Sequence, residues 1–488
     1  MSRDPGSSRR TFIKSAATAI GALALDGHTS SAEVAANPEL SPKRPNFVFF
    51  HGEGMRWDEL SCAGNQIIHT PNFDRIVHEG MSFSNSFCTN ALCSPSRASA
   101  LTGMYSHSTG VVDNRPRAIP DSIPTFADVL HQAGYEVGMF GKVHVYGLEK
   151  RNWDYYFGID SAGANYYHPI ITESENGNVK PPKQYEGYFD DLVTNRALEW
   201  INQPREKPFC LFLWFLAPHA PFYRARRNAD LYNGIVIPKP TTFDDDLKGY
   251  PGKPHAFTLG WNKMVTGIYG NDDPRSLEEV VKDHYAGVVM TDENAGRVMH
   301  ALEKQGVLDD TAIMLSSDHG FFLGEWGFYN KMLMHEPSIR VPLALRYPRM
   351  AKAGAKCEKM VLSVDLAPTF LELAGIKQPE SMQGRSLVPL LEGGDISDWR
   401  KDWLYEYYDE RYAARSRGIR TKRFKLIHYW EPPEEYELYD LETDPRELNN
   451  LYGDSRYAKI AEELKQRIHH LRVETKDPLL ARSLSRAE

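Results

Sequence analysis

The chain has 488 residues, of which 41% are hydrophobic and 25% charged; these proportions exclude a disordered or fibrous protein, and the length suggests roughly two to three domains. A formal net charge of −8 excludes broad nucleic-acid binding, which needs a basic footprint, so an anionic substrate requires a local cationic pocket. The five cysteines, at 62, 88, 93, 210 and 357, include no CxxC pair and are too scattered for a disulfide scaffold; Cys62 with Cys88 is a conceivable pairing in an oxidising compartment.

In chain order, Ser8-Arg9-Arg10-Thr11-Phe12-Ile13-Lys14 and the apolar stretch Ala16 to Leu25 resemble a twin-arginine export signal. The stretch is shorter than the ~20 residues that span a bilayer, and Ser30-Ser31-Ala32 suits cleavage. Residues 1–36 are therefore expected to be a signal peptide and linker. That implies the twin-arginine export machinery as a partner, a periplasmic or secreted protein, and no stable membrane insertion.

After a linker at Pro42 to Pro45, the run Asn46 to Phe50 reads as a buried strand and ends at His51-Gly52-Glu53-Gly54. Three further apolar runs behave alike. Tyr135 to Phe140 leads to Lys142 and His144, Phe209 to Leu216 leads to His219, and Ala312 to Leu315 leads to Asp318-His319-Gly320. Helical periodicity occupies Thr125 to Gly134, Asp191 to Ile201 and Leu277 to Gln305. Strands alternating with helices predict an α/β fold, a mainly parallel central sheet with helices on both faces. Ligands bind beyond the carboxyl ends of such strands, so these ionisable residues are candidates for one site.

The aromatic-rich segments Asn152 to Tyr188 and Phe222 to Trp261 read as substrate loops. The main domain is expected over 37–400. From about 401 to 488 the pattern changes: Leu404 to Tyr408, Arg417 to Tyr429 and Glu437 to Asp440 read as short strands, with a helix from Tyr457 to Val473. This predicts a small C-terminal α+β subdomain with an antiparallel sheet.

The most informative run is Cys93-Ser94-Pro95-Ser96-Arg97-Ala98-Ser99-Ala100-Leu101-Thr102-Gly103, in which Arg97 lies one helical turn from Cys93. It resembles the signature of type I sulfatases, in the alkaline phosphatase-like superfamily. The resemblance extends from about Arg44 to Leu451. It includes Pro71-Asn72-Phe73-Asp74, Gly141-Lys142-Val143-His144, Pro218-His219-Ala220-Pro221, Ser317-Asp318-His319-Gly320, Lys331, Val364 to Thr369, Gly384-Arg385-Ser386-Leu387 and Leu438-Tyr439-Asp440-Leu441.

The resemblance implies that a formylglycine-generating enzyme converts Cys93 to formylglycine, whose hydrated aldehyde attacks the sulfur of a sulfate ester. It implies a divalent metal held by Glu53, residue 93, Asp318 and His319. Ca2+ is the first expectation, with Mg2+ and Mn2+ open because one ligand is a His. Gly54 departs from the pattern, which usually has a second acid or amide there. Arg97 is implied to orient the aldehyde hydrate, Lys142 and Lys331 to bind sulfate oxygens, and His144 and His219 to serve nucleophile and leaving group. Lys142, His219, Lys331, His107 and Asn114 form the candidate substrate-binding set, with His335 unassigned beside them. Fixed cationic donors suit the charge that develops on a sulfate ester.

The leading reading is a sulfuric ester hydrolase acting on a sulfated carbohydrate. Arylsulfate hydrolysis, phosphodiester or phosphonate monoester hydrolysis, and non-catalytic binding of sulfated glycans through an unmodified Cys93 are the alternatives.

Overall fold

The computed structural model describes residues 44–244 and 275–480, apart from 395 and 433. The export-type segment expected over 1–36 and residues 245–261 of the second aromatic segment lie outside them.

Strand β1 (Asn46–Gly52) alternates its side chains between two apolar layers: Phe47 and Phe49 enter one core, Val48 and Phe50 the other. A strand buried on both faces reads as a continuous apolar run rather than an alternation. The remaining strands of the large sheet are β2 (Met81–Phe87), β3 (Glu136–Lys142), β4 (Tyr155–Ile159), β5 (Ile170–Glu175), β6 (Asn178–Val179), β7 (Lys183–Gln184), β8 (Phe209–Trp214) and β9 (Thr311–Ser317). A small hairpin of β10 (Phe322–Leu323) and β11 (Tyr329–Asn330) precedes β12 (Leu343–Arg346) and β13 (Ala355–Leu362).

The large sheet runs β13-β2-β12-β9-β1-β8-β3-β4-β5-β6, with β7 paired to β5. Its centre, β9-β1-β8-β3-β4, is wholly parallel, and β12 and β5 run antiparallel on either side. The expected parallel sheet is present, with antiparallel flanks added. The segment Asn152 to Tyr188 is not simply a loop: it contributes β4, β5, β6 and β7.

Helices cover both faces. On the Phe47 side lie α2 (Cys93–Thr102), α3 (Phe126–Gln132) and α6 (Leu366–Leu373). On the Val48 side lie α1 (Pro71–Glu79), α4 (Phe189–Ile201) and α5 (Leu277–Lys304). Thr125 and Ser276 begin α3 and α5 with reciprocal side-chain and backbone capping bonds, the box expected where Thr or Ser precedes an acid by three residues.

The C-terminal sheet is antiparallel, in the order β14 (Asp402–Tyr407), β15 (Ser416–Thr421), β16 (Phe424–Tyr429) and β17 (Glu435–Asp440). Helix α7 (Ala458–Glu474) buries Ala461, Leu464, Ile468 and Leu471 with it. The predicted run Arg417 to Tyr429 divides at Lys422-Arg423 into β15 and β16. Trp403 of β14 stacks on Phe87 at the end of β2, with ring centroids 5.2 Å apart, which joins the two sheets through one aromatic core. All five cysteines are free, and Cys62 is exposed while Cys88 is buried, so the conceivable Cys62–Cys88 pairing is not formed. None of the described helices is long and apolar enough to cross a membrane.

Candidate active site

Neighbouring parallel strands end in register, Gly52 of β1 beside Ser317 of β9, and His51 beside Trp214 of β8. The segments leaving these ends therefore converge, as expected at the carboxyl edge of a parallel sheet. Glu53, Asp318 and His319 follow β1 and β9 directly, Lys142 closes β3, and His219 follows β8. Cys93 is the first residue of α2, which points its N-terminus at the same place.

Glu53 is the hub. Its Oε1 lies 3.0 Å from Cys93 Sγ, and it lies 3.4 Å from both His319 Nε2 and Lys331 Nζ. His219 Nε2 stands 3.8 Å from the same oxygen. Oε2 meets Lys142 Nζ at 2.8 Å and Arg97 Nη2 at 2.9 Å. Burial raises the carboxyl, but Lys142, Lys331 and Arg97 hold it well below the usual carboxylate range.

Arg97 is fully buried and pairs through Nε with Asp318 Oδ2 at 3.0 Å. It donates through Nη1 to Lys142 O at 2.6 Å, and its guanidinium lies 5.1 Å from the centre of the Trp214 ring. These fixed contacts leave it no freedom, which suits an orienting role. Gly141, at φ 119°, lets β3 lie close against β8 here, since a Cβ there would fall 1.8 Å from Trp214 O.

The ligand atoms of Glu53, Cys93, Asp318 and His319 all lie within 4.8 Å of one another. Two carboxylates and one imidazole facing a single small volume fit a divalent cation. His319 Nδ1 is 2.8 Å from Gly320 O, so Nδ1 carries the proton and Nε2 faces the cluster; a backbone partner on the far nitrogen is the usual support for a ligating His. Burial and the nearby Glu53 carboxylate push Asp318 up to about 6, the response of two buried like charges brought together. Against burial, which lowers it, the Asp318 carboxylate lifts His319 to about 9.

Gly54, the departure in the sequence pattern, has a physical reason. Its φ is +78°, and a Cβ would sit 3.3 Å from the Phe321 ring and 3.7 Å from His319 Cε1. The residue contributes its backbone instead: Gly54 N donates to Asp318 Oδ1 at 3.0 Å, beside His319 N at 2.8 Å.

Cys93 is buried. Burial and the Glu53 carboxylate push its thiol up, yet Lys331, Lys142 and a hydrogen bond with His144 outweigh them and hold it well below its ordinary value. His144 has φ +50°, and its carbonyl accepts from Ser94 Oγ. Asn114 Oδ1 accepts from Ser94 N at 3.1 Å, which places Asn114 beside the first turn of α2. His219 Nδ1 is 2.6 Å from Ala220 O, so Nε2 faces Glu53; burial and Lys142 lower this ring to about 4.

Two candidate residues stand elsewhere. His107 is held by Glu406, with Nδ1 2.6 Å from Oε2, and by Thr475 O at 2.8 Å from Nε2. His335 Nε2 lies 3.1 Å from Glu437 Oε2. His107, expected in the substrate-binding set, and His335, left unassigned, both tie the main domain to the C-terminal sheet and helix. Conversely, Asp190 and Tyr166 were not foreseen. Asp190 accepts from Leu216 N at 2.7 Å and Ala217 N at 3.1 Å, and Tyr166 OH donates to His219 O at 2.6 Å. Together they fix the loop that carries His219. The first aromatic segment also reaches the site, because a Cβ on Gly163 would be 3.6 Å from the His219 ring.

The sulfatase family model matches residues 45–376, and the model for the C-terminal region of N-sulphoglucosamine sulphohydrolase matches 324–474. The chain belongs to the sulfatase family. This sulfatase is 36% identical to N-acetylglucosamine-6-O-sulfatase of Bacteroides thetaiotaomicron, over 91% of this chain and 89% of the relative. It is 28% identical to an arylsulfatase of Clostridium perfringens, over 88% and 93%. A solved structure of a protein in complex with its substrate D-glucosamine-2-N,6-O-disulfate superposes with a TM-score of 0.81 and 34% identity, covering 89% of the sulfatase and 99% of that chain. The phosphonate monoester hydrolase of Agrobacterium radiobacter shares the fold, with a TM-score of 0.72 at 24% identity, covering 88% and 96%. As a sulfatase the protein is a sulfuric ester hydrolase, and its alkaline phosphatase-like fold is the one expected.

Proposed function

We propose that this sulfatase removes sulfate from sulfated carbohydrates, with a 6-O-sulfated glucosamine unit as substrate. One observation supports the reading most: a buried thiol, two carboxylates and a correctly oriented imidazole share one small volume, bordered by Lys142, Lys331 and His219. The sugar assignment leans on the glucosamine relatives, whose chains this one covers almost throughout.

Residue 93 is read as formylglycine in the mature protein, with a hydrated aldehyde that supplies the nucleophile. Glu53, Asp318 and His319 are the residues that would hold a divalent cation, Ca2+ in preference to Mg2+ or Mn2+. When bound, such an ion supplies positive charge for sulfate oxygens and nucleophile alike.

The chain's own residues do the rest. Arg97, pinned by Glu53 and Asp318, orients residue 93. Lys142 and Lys331 present cationic donors to the sulfate oxygens from a water-poor site, where fixed donors act strongly. His219 is neutral in the substrate-free site and turns Nε2 toward the cluster, and an arriving sulfate raises its proton affinity by its charge. His219 and the Lys331 ammonium are then the groups placed to serve the leaving oxygen. His144 interacts with residue 93 closely enough to help hold its thiol down and can move a proton there. The expected periplasmic or secreted location, with maturation by a formylglycine-generating enzyme before twin-arginine export, belongs to the same proposal.

The test is release of sulfate from glucosamine 6-O-sulfate, glucosamine 2-N-sulfate and an aryl sulfate, and of phosphate from glucosamine 6-phosphate, under matched conditions. Highest kcat/KM on the 6-O-sulfate is expected. Faster turnover of the phosphate would overturn the assignment.

A further inference from the structure

Lys331 lies between two non-glycine residues in the left-handed region, Asn330 at φ 116° and Met332 at φ 87°. Side-chain-bearing residues keep such a backbone only where their surroundings over-determine it. For Asn330 they include the pairing of β11 with β10, and for Met332 they come from the C-terminal sheet. Tyr405, buried on β14, donates its hydroxyl to Met332 O at 2.6 Å and accepts from Ala91 N at 3.4 Å. One hydroxyl therefore bridges the residue after Lys331 and a residue two positions before Cys93.

Adjacent contacts make the same connection. Glu406 N donates to Thr89 O at 3.0 Å, which anchors β14 to the segment leading into α2. Lys425 of β16, fully buried, donates to Met334 O at 2.8 Å and pairs with Glu336 at 2.9 Å and Glu447 at 2.5 Å. The Met334 side chain packs against Gly418 of β15, where a Cβ would fall 2.1 Å from the sulfur. The main chain that follows Lys331 is thus held by a subdomain whose strands contribute no ligand atom to the cluster around Glu53.

We propose that Tyr405 is a positioning residue for sulfate ester hydrolysis, its hydroxyl fixing the spacing between residue 93 and Lys331. The proposal rests on the reading of Lys331 as a sulfate-binding cation. It gives the C-terminal sheet a part in the chemistry, because a donor displaced by about 1 Å can cost up to ~100-fold in rate.

The experiment is a cycle of Tyr405→Phe, Lys331→Ala and the double variant, each produced with a formylglycine-generating enzyme and checked by mass spectrometry for equal aldehyde content at residue 93. Tyr407→Phe is the control for losing a buried hydroxyl on the same strand, since Tyr407 OH donates to Asp409 O at 2.8 Å, away from the Lys331 segment. On glucosamine 6-O-sulfate, Tyr405→Phe should lower kcat/KM about tenfold, mainly in kcat, at a melting temperature close to that of the control. In the Lys331→Ala background the same change should cost less than about twofold. Lys425→Met is a second variant expected to show the same background dependence. An equal loss in both backgrounds, or full activity of Tyr405→Phe beside an impaired Lys331→Ala, overturns the positioning role. Full activity of Lys331→Ala itself would overturn the reading beneath it, and that variant alone reports it.

Discussion

Replacing His107 by Gln separates a structural tie from a substrate contact. Burial lowers this ring, but the Glu406 carboxylate beside it, helped by Thr475 O, raises it from 6.5 to about 9. The difference between the unfolded and folded values corresponds to about 3 kcal/mol of stability. Because the folded value is the higher one, that stability is fully present below about pH 6.5 and is lost as pH rises through about 9. Urea unfolding of the wild type and His107→Gln should therefore give a stability gap at about pH 6 that narrows by about 3 kcal/mol by about pH 9.5. The KM for a sulfated glucosamine should stay within about twofold, since the ring is spent on Glu406 and Thr475. A gap that does not change with pH, or a large rise in KM, would refute the assignment and return His107 to the substrate.

Glu53→Gln removes the anion that faces Lys142, Arg97 and Lys331, so calorimetry should show loss of Ca2+ binding. The apoprotein should be destabilised by ~3–5 kcal/mol, the usual cost of unpairing buried charges; unchanged Ca2+ affinity would sink the ligand assignment. Gly54→Asp restores an acid of the type the family pattern usually has there, yet at φ +78° and against the Phe321 and His319 rings it should reduce activity and cost at least ~1–2 kcal/mol of stability. Tighter metal binding with higher turnover in that variant would show that the backbone, and not the missing carboxylate, had been misread.

The central strands and the site were legible for one reason. Doubly buried parallel strands are continuous apolar runs, and the fold delivers whatever follows them to one edge, so Glu53, Lys142, His219 and Asp318 could be grouped despite their separation in sequence. The strands β2 and β13 were not legible, because Met81–Phe87 and Ala355–Leu362 mix polar and apolar residues near the sheet margin. The aromatic segment after Asn152 passed for a loop because its strands β6 and β7 are two residues long and exposed. His107 and His335 sit in or beside matched blocks just as His144 and His219 do. Only tertiary contacts reveal that Glu406 and Glu437 hold them. Tyr405, Asp190 and Tyr166 had no sequence signal at all, because each acts on another residue's main chain across more than 20 positions.

The most direct test of the account is mass spectrometry of the peptide containing residue 93, taken from protein matured beside a formylglycine-generating enzyme and assayed in parallel for sulfate release. The account predicts an aldehyde at residue 93 whose fraction scales with specific activity. Full sulfatase activity from protein carrying an intact Cys93 thiol would contradict it.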